Sequence, residues 1–348
     1  MTEQTLFPHV AETSLSGLAF AAVRALLMHE AEEHDLTLST NTEKMVRMST
    51  EYGDLSFQDI KGGVKAVAMS KRADTLFILK ESLVESISHF APELVETLVW
   101  SDASLHQGHP PNFQFATVKS VRAIGGDFMR VVLHVEDVRN FVDSAIHFRI
   151  ILPAVGDNSP DWPTVNEKGV TVWPKGDKAL HRPVYTVRRA DIAAKELEFD
   201  VFLHAGGRTT EWAKAAVKGS KIGLTGPGGG GIPKTNRIAV YADETAFPAV
   251  ARLLEGLPRD STGKIVVMAD GGEACGYIFP EHPRLKPEWV KRNACEGLAA
   301  QAITDRKDHA DHMLWFASEK EDVAKVRAFC SGANIDTKQH YIATYWSR

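Results

Sequence analysis

The sequence predicts a multi-domain protein: an N-terminal α+β accessory domain at residues 1–108, an antiparallel β-barrel at 113–235, and an α/β domain with a parallel sheet at 236–348. Three observations predict it. The length of 348 residues suggests two or three domains. A polar stretch with a double proline, DASLHQGHPP, ends the first region. After it, short β-rich segments give way to strands that alternate with helices.

The first region combines helical and strand patterns. Leu18–Glu33 has the apolar spacing of an amphipathic helix. Residues 45–71 are typical of short strands interrupted by glycines. LFILKESLVESISHFAP, from Leu76, suggests a strand that runs into a helix. Together they predict a small α+β domain.

The middle region is rich in β-branched residues that roughly alternate with polar ones, which favours a sandwich or barrel. One helical insert, TTEWAKAAVKG, precedes its last strand. The predicted strands are FATVKSVRAI, DFMRVVLHVED, AIHFRIILPA, VTVWPKG, PVYTVRRADI, ELEFDVFLHAGG and KIGLTGP.

The last region alternates strands with helices, which predicts a parallel sheet. The predicted strands are RIAVYAD, KIVVMAD, HMLWFAS and HYIATYWS. The predicted helices are ETAFPAVARLLEGL, PEWVKRNACEGLAAQAI and EKEDVAKVRAFCSG.

The composition of the chain argues against several classes of protein. A formal net charge of −5 gives no global basic face for nucleic acid. The chain has three cysteines, an odd number, and no two of them have CxxC spacing: Cys275, Cys295 and Cys330. We therefore expect no disulfide framework and no zinc site, and we expect a reducing compartment. We see no secretory signal and no membrane span, and we expect a cytoplasmic monomer with no metal of its own.

The glycine-rich run GLTGPGGGGIPKT resembles two nucleotide-binding motifs and fails both. The dinucleotide fingerprint needs a helix after its last glycine, but a proline and a strand follow here. The P-loop needs a glycine before Lys234, where Pro233 stands without an N–H group. We therefore interpret the run as a connection between barrel and sheet.

The stretch RPVYTVR carries unusual chemistry for a short extended segment. In a regular strand Arg182, Thr186 and Arg188 point one way, while Tyr185 and Val187 point the other. A guanidinium and a hydroxyl suit a phosphate, and a phenol offers a flat face with a polar tip. A solvated arginine face on an edge strand fits the same residues, so chemistry alone leaves both open.

This stretch resembles the R-x-Y-T-x-R signature of bacterial siderophore-interacting proteins, which are FAD-dependent ferric-siderophore reductases of the ferredoxin-reductase-like superfamily. The resemblance continues in order from Phe113 to the chain end. HFRIILPA is similar to a family strand, and FDVFLHAGGRTTEWAKAAVKGSKIGLTGPGG to its D-hhhH…WA…G…GPGG block, in which h is apolar. YADETAFPAVARLLEGLP and ATYWSR are similar to the opening and end of its nucleotide domain. The first 108 residues resemble an accessory domain sometimes fused to these proteins.

The resemblance implies that FAD and NADH or NADPH bind, with the chemistry carried by the cofactors and no catalytic residue of the chain. The implied cofactor-binding residues are Arg182, Tyr185, Thr186, Val187, Arg188, His204, Thr209, Thr210, Trp212, Asp243, Glu244, Thr245 and Trp346. The sequence departs from the family at GGRTTEWA, where GPASxWA is usual, and at Ser318, which replaces a glycine.

The implied activity is reduction of ferric siderophores to release Fe(II), with NAD(P)H or an electron-donor protein as the source of electrons. Alternatives are a flavin reductase with another acceptor and a non-catalytic siderophore-binding protein. An anionic siderophore needs basic residues, and the candidates are Lys234, Arg284, Lys286, Lys291 and Arg292. Asp270 at a strand end favours NADH, whereas Lys291 and Arg292 could instead read a 2′-phosphate, so the donor stays open.

Overall fold

The computed structural model describes residues 6–33, 36–142, 145–157, 159–294 and 296–347. The chain divides into two compact units. The first consists of residues 1–114 and 151–181, and the second of residues 115–150 and 182–348. Cys295, one of the three cysteines considered above, lies outside the described residues.

More of the described chain is in β-strands than in α-helices. The strands are β1 (His9–Ser16), β2 (Thr37–Asn41), β3 (Met45–Thr50), β4 (Gly53–Ile60), β5 (Gly63–Ser70), β6 (Phe113–Ile124), β7 (Phe128–Val135), β8 (His147–Ile151), β9 (Thr164–Val165), β10 (Thr171–Val172), β11 (Val184–Thr186), β12 (Arg189–Asp191), β13 (Glu196–Phe202), β14 (Lys221–Gly228), β15 (Arg237–Asp243), β16 (Thr262–Ala269), β17 (Pro287–Lys291), β18 (Met313–Glu319) and β19 (Tyr341–Trp346). The α-helices are α1 (Phe20–Glu33), α2 (Ala73–Phe90), α3 (Pro92–Thr97), α4 (Arg208–Ala215), α5 (Phe247–Gly256), α6 (Leu298–Asp305) and α7 (Lys320–Gly332).

The first unit contains an antiparallel sheet in the order β1-β5-β4-β3-β2, with helices that contribute to the same core. The predicted α+β class of this region is confirmed. The strand predicted from Leu76 is wrong, because that segment belongs to α2. Its buried side chains, including Leu76, Leu79, Leu83 and Ile87, recur at helical spacing on one face, which a strand could not bury together.

The segment 151–181 completes the first unit although it lies within the predicted barrel sequence. VTVWPKG is not a barrel strand, because β10 pairs with β9 in a separate two-stranded hairpin. The Trp100 N–H donates to the Lys168 carbonyl at 2.9 Å. Val170 is buried in the same core as Trp100. The turn of the hairpin thus completes the core around Trp100.

We predict that Gly169→Ala destabilises the first unit more than Gly156→Ala. Both glycines have a positive φ, near +73° and +83°. An added Cβ at Gly169 would lie 2.9 Å from Ala103 Cα and 3.2 Å from Trp100 Cβ, whereas at Gly156 it meets nothing within 4 Å. Both variants lose about 1–2 kcal/mol to left-handed strain, and Gly169→Ala loses a further ~1–3 kcal/mol to overpacking. Equal shifts of the thermal unfolding midpoint would contradict this.

The second unit contains the predicted barrel, with strand order β11-β8-β14-β6-β7-β13-β12. Its two terminal strands are consecutive pieces of one chain run. The Val187 N–H donates to the Ile146 carbonyl at 2.7 Å on one side, and the Arg188 N–H donates to the Glu198 carbonyl at 2.8 Å on the other. This pair of residues therefore closes the sheet on itself and removes its free edges.

The parallel sheet follows, in the order β17-β16-β15-β18-β19. The prediction of an α/β domain is confirmed. The helix predicted from Pro287 is wrong in its first part, because Pro287–Lys291 forms β17 and the helix begins only at Leu298. The ring centre of Trp289, in β17, lies 5.5 Å from the ring centres of Phe247 and Phe279. The strand therefore contributes an aromatic side chain to the core.

Barrel and parallel sheet share one hydrophobic core. Phe128 of β7 packs with Phe247 of α5 at 5.8 Å and with Tyr277 at 4.8 Å between ring centres. The Gly126 N–H of the barrel donates to the Cys275 carbonyl of the sheet domain at 3.0 Å. The ends of the barrel strands are thereby fixed against the sheet. None of the described helices has the length and apolarity needed to cross a bilayer.

Candidate functional site

The carboxyl ends of the parallel strands are joined by a buried carboxylate. Asp243, at the end of β15, is fully buried, and its Oδ2 accepts from the Ser318 hydroxyl at 2.9 Å and from the Trp346 indole N–H at 2.7 Å. Its Oδ1 accepts from the Thr245 N–H at 3.0 Å. Asp243 thus binds the ends of β18 and β19 to its own strand.

This arrangement bears on Asp243, Glu244 and Thr245, which the resemblance implies as cofactor-binding residues. The Thr245 N–H donates to the Asp243 carboxylate, so that amide is occupied by a group of the protein. The Glu244 carboxylate likewise turns inwards and accepts from the Asp270 N–H.

Glu244 forms a second buried network at the same edge. Its carboxylate accepts from the Asp270 N–H at 3.0 Å and pairs with the Arg292 guanidinium. Arg292 also pairs with Asp270, at 2.8 Å. Burial, with the nearby Asp243 charge, raises the pKa of Glu244 to about 7, although Arg292 opposes the shift. The sequence offered Asp270 as a partner for a ribose diol and Arg292 as a partner for a 2′-phosphate. In the structure these two side chains pair with each other.

The structure does not bring the five predicted basic residues together. Lys291 ends β17 and Arg292 follows it, so both lie at the carboxyl edge of the sheet. Arg284 and Lys286 precede β17, and Lys234 precedes β15, so these three lie toward the edge where the strands begin. Ligands of open parallel sheets bind at the carboxyl ends of the strands. Of the five, Lys291 is the exposed cation at that edge.

Tyr185 lies where the barrel meets α4. Its ring is 5.2 Å from that of buried Phe199, and Trp212 of α4 stacks on the same phenylalanine at 6.4 Å. Burial raises the pKa of the Tyr185 phenol to about 12, against a hydrogen bond with the Thr209 side chain. The tyrosine is therefore a neutral phenol, held by the first turn of α4.

The start of α4 brings together two more predicted residues, His204 and Thr210. Gly207 is its N-cap and has no side chain to cap the first N–H groups. The exposed His204 ring lies so close that a Cβ on Gly207 would be 2.6 Å from it. The Thr210 hydroxyl accepts from the His204 N–H at 3.2 Å. A helix start that no side chain caps, with hydroxyls and an imidazole beside it, suits a phosphate.

Arg188 faces the sheet domain. Two of its guanidinium nitrogens bind Glu255 of α5, each at 2.9 Å, and its Nε is buried without a hydrogen-bond partner. The sequence did not predict Glu255, because it is 67 residues from Arg188 in the chain and no local pattern links the two. Arg182 precedes Tyr185 by three residues, one more than the family motif has, so Pro183 stands at the motif's first arginine.

Thr186 belongs to a polar cluster that the sequence did not predict. Its Oγ1 lies 3.4 Å from Nδ1 of His147, the residue opposite it on β8. His147 Nε2 lies 3.3 Å from the Tyr341 hydroxyl and 3.2 Å from the Tyr345 hydroxyl, both on β19. Burial, aided by the Arg252 charge, lowers the pKa of His147 to about 4, although the Tyr185 backbone opposes it. We call His147, Thr186, Tyr341 and Tyr345 the histidine node.

No set of three or more histidine, cysteine or acidic side chains is placed to hold a metal ion in the part of the chain that the structure describes. His309 and His312 contact each other edge to face at 4.7 Å. The Arg306 guanidinium donates to the carbonyl oxygens of both residues, at 2.8 and 2.7 Å, and so fixes this loop.

Comparison with known protein families identifies the family of this chain. The profile of the siderophore-interacting FAD-binding domain matches residues 117–231, and the profile of the siderophore-interacting protein matches residues 235–348. The chain belongs to the siderophore-interacting protein family. The resemblance on which the sequence prediction rested is confirmed, and the barrel is an FAD-binding domain of this family.

Two curated relatives of this siderophore-interacting protein have named activities. The "NADPH-dependent ferric-chelate reductase" of Escherichia coli is 27% identical over 249 residues, which cover 67% of this chain and 92% of that protein. The "Ferric vibriobactin reductase ViuB" of Vibrio cholerae is 28% identical over 240 residues, which cover 65% and 86%.

Solved structures agree on the fold. The siderophore-interacting protein SipS from Aeromonas hydrophila is 20% identical with a TM-score of 0.57, over 68% of this chain and 99% of that one. A siderophore utilization protein from T. fusca is 24% identical with a TM-score of 0.57, over 70% and 95%.

The residues of this siderophore-interacting protein fit FAD. Among the described residues the Arg188 Nε is a buried donor with no hydrogen-bond partner, and no side chain caps the start of α4. The half-buried ring of Tyr185 bonds Thr209 at that helix start and precedes Arg188 by three residues in the chain. Donors for two phosphates and a flat face for a ring are what a flavin dinucleotide needs.

We predict that Arg188→Ala weakens FAD binding by one to two decades while the barrel stays folded. The expected loss is that of a charge-assisted contact, about 1.5–3 kcal/mol. Glu255→Gln is the matched control, because it releases Arg188 from its protein partner and leaves the guanidinium in place. FAD affinity is measured by titrating apoprotein. If both variants lower the melting temperature equally and leave FAD affinity unchanged, Arg188 only joins barrel to sheet.

We predict that acid destabilises the protein partly through His147. Between pH 6.5 and 4 the unfolded chain protonates this histidine and the folded chain does not, so the free energy of unfolding decreases as the pH is lowered. Above pH 6.5 the histidine is neutral in both states and makes no contribution of this kind. The largest contribution is about 3 kcal/mol. Urea unfolding at pH 7, 5.5 and 4.5 should show a shallower pH dependence for His147→Asn. Parallel dependences for variant and wild type would contradict this origin.

Proposed function

We propose that this protein reduces the iron of ferric siderophores with electrons from NAD(P)H, using bound FAD, and so releases Fe(II). The supporting observation is the match of an FAD-binding barrel, followed by a siderophore-interacting α/β domain, over nearly all of the chain after residue 116. The names of relatives that align along most of their own length, a ferric-chelate reductase and a ferric vibriobactin reductase, support the same reaction.

The barrel holds FAD through the residues described above. Tyr185 and Thr186 serve the ring, and the start of α4, with His204, Thr209 and Thr210, serves the diphosphate. When bound, FAD supplies the redox chemistry, since it can take two electrons as a hydride and give them up singly. Trp346, on its Asp243 anchor, gives the sheet domain an aromatic side chain to cover the flavin.

The carboxyl edge of the parallel sheet takes the nicotinamide nucleotide. This edge carries Thr245, Lys291 and the pair formed by Asp270 and Arg292. Because Arg292 neutralises Asp270, the acidic side chain cannot by itself select a ribose diol against a 2′-phosphate. Lys291 adds an exposed charge there that has no ion-pair partner among the described residues, and we therefore propose NADPH as the better donor.

Reduction favours release of the iron because it lowers the charge of the ion. Fe(III) is held by hard, often anionic oxygen ligands, and reduction to Fe(II) removes one unit of the charge that attracts them. The substrate needs a positive surface near its reductant, which Lys291 supplies at the carboxyl edge. No acid, base or nucleophile of the chain is needed, in accord with an edge whose acidic groups Asp243 and Glu244 are buried and hydrogen-bonded.

Anaerobic turnover tests this proposal. Protein reconstituted with FAD is mixed with NADPH or NADH and a ferric siderophore, and Fe(II) is trapped by a coloured chelator. We expect two Fe(II) for each NAD(P)H oxidised, since one hydride carries two electrons. Protein that cannot be reconstituted with FAD would make it a binding protein. Flavoprotein that oxidises NAD(P)H with other acceptors but never with ferric siderophores would make it a different reductase.

We predict that Lys291→Gln raises the KM for NADPH or for an anionic ferric siderophore about fivefold at low salt, as expected for loss of one exposed charge contact. The maximal rate should change little, because the lysine binds and does not react. Lys286→Gln is the control, since Lys286 lies just before the other end of the same strand. A similar rise of KM in both variants would show that only net charge matters.

A further inference from the structure

The chain lacks one positive charge of its family signature beside Tyr185. Pro183 stands where the signature has its first arginine. In an extended strand residues two apart share a face, so the missing guanidinium would have been on the side of the Tyr185 ring. Arg182 does not simply replace it, because a residue three before the tyrosine lies on the opposite face.

A second departure from the family supplies a cation at the start of α4. Arg208 is the first residue of this helix, in the segment GGRTTEWA, where the family usually has GPASxWA. Counted back from Trp212, Arg208 takes the place of the proline of that pattern. Arg208 is exposed, and among the described residues its guanidinium has no ion pair and no hydrogen bond.

Helix geometry turns Arg208 toward the signature strand. Trp212 lies on the same face of α4, because residues four apart are stacked one turn above the other. Trp212 stacks on Phe199 at 6.4 Å between ring centres, and Tyr185 packs on the same ring at 5.2 Å. Arg208 therefore stands at the N-terminal end of the helix face that meets Tyr185.

Electrostatics makes this position unfavourable for a cation unless an anion is bound. The aligned peptide dipoles make a helix start positive, so a cation in the first turn is repelled. Gly207, the N-cap, has no side chain that could accept from the first N–H groups. Glu211, the acidic residue of the first turn, is exposed and pairs with Lys214 at 3.3 Å. A bound oxyanion would satisfy the N–H groups and the guanidinium together.

The other guanidinium near the signature is already neutralised. Arg188 pairs with Glu255 through two nitrogens, each at 2.9 Å, and this leaves its Nε for a ligand. Each phosphate of FAD carries a negative charge, and a charge taken out of water needs a charged or hydrogen-bonding partner. Arg208 is the arginine at this helix start whose charge no acidic group of the described chain offsets.

We propose that Arg208 binds the diphosphate of FAD and takes over the charge that the family signature places at residue 183. A guanidinium offers paired N–H donors that match two phosphate oxygens, and the N–H groups of the helix start add to them. The inference rests on the proposed function, in which the start of α4 serves the diphosphate. It transfers one cofactor contact from the strand of the signature to the helix that packs beside it.

Removal of this charge should have different effects on the empty and on the loaded protein. We expect Arg208→Gln to weaken FAD binding about tenfold in titrations of apoprotein, as for one charge-assisted contact, and to make the affinity less sensitive to salt. The melting temperature of the apoprotein should stay the same or rise, because a cation has left a positive helix start. Lys214→Gln is the matched control, since it removes a cation from the last turn of the same helix and should leave FAD affinity unchanged.

Rescue gives the decisive result. Pro183→Arg restores the arginine of the signature, and we expect it to recover most of the lost affinity in the Arg208→Gln background but to add little to the wild type. If Pro183→Arg does not fold, Arg208→Lys takes its place in the test, because it keeps the charge and should retain more affinity than Arg208→Gln.

Three results would overturn the proposal: unchanged FAD affinity in Arg208→Gln, equal losses in Arg208→Gln and Lys214→Gln, or no recovery in the rescue variant. A lower melting temperature of Arg208→Gln apoprotein with unchanged affinity would leave Arg208 a structural residue. Wild-type protein that binds no FAD would instead overturn the proposed function, and this inference with it.

Discussion

The second unit depends on the buried carboxylate of Asp200. Arg130 of β7 binds it through two nitrogens, at 2.7 and 2.8 Å, and the Tyr277 hydroxyl of the sheet domain donates to it at 2.8 Å. Burial disfavours ionised Tyr277, as does the carboxylate beside it, so its pKa is raised and it remains a donor. A carboxylate this buried is tolerated only with such partners, so barrel and sheet must meet in one way.

That fixed relation matters because the proposed cofactor site draws on both halves. The residues proposed for it are Tyr185, Thr186 and the start of α4 in the barrel, with the aromatic end of β19 and the edge around Asp243 in the sheet domain. A relative shift of the halves would break the histidine node and the pair formed by Arg188 and Glu255. Preorganisation of this kind is what a protein adds when a cofactor supplies the chemistry.

Sequence reasoning found what local patterns encode. Alternating β-branched residues predicted the barrel, and strands alternating with helices predicted the parallel sheet. The short run Pro287–Lys291 was mistaken for helix, because its strand character comes from pairing with β16 and from aromatic contacts of Trp289 that distant residues provide. Leu76 was placed in a strand because a short apolar run cannot be told from a buried helix face.

The functional residues divide in the same way. The signature around Tyr185 and Thr186 could be found, since its members are neighbours in the chain. The partners that give those residues their properties could not, because His147 meets Tyr345 across 198 positions and Arg188 meets Glu255 across 67. Such contacts follow from the closure of the barrel and its docking on the sheet, which no local pattern records.

The hairpin of β9 and β10 also sets an order of events during synthesis. The ribosome delivers the chain from its N-terminus, so the sheet of the first unit emerges well before residues 164–172, which complete the core around Trp100. At about 5–20 residues per second, the sheet waits on the order of several seconds before that core is complete. Residues 115–150, which belong to the second unit, are synthesised in that interval. The first unit therefore acquires its last buried residues only after part of the barrel has been made.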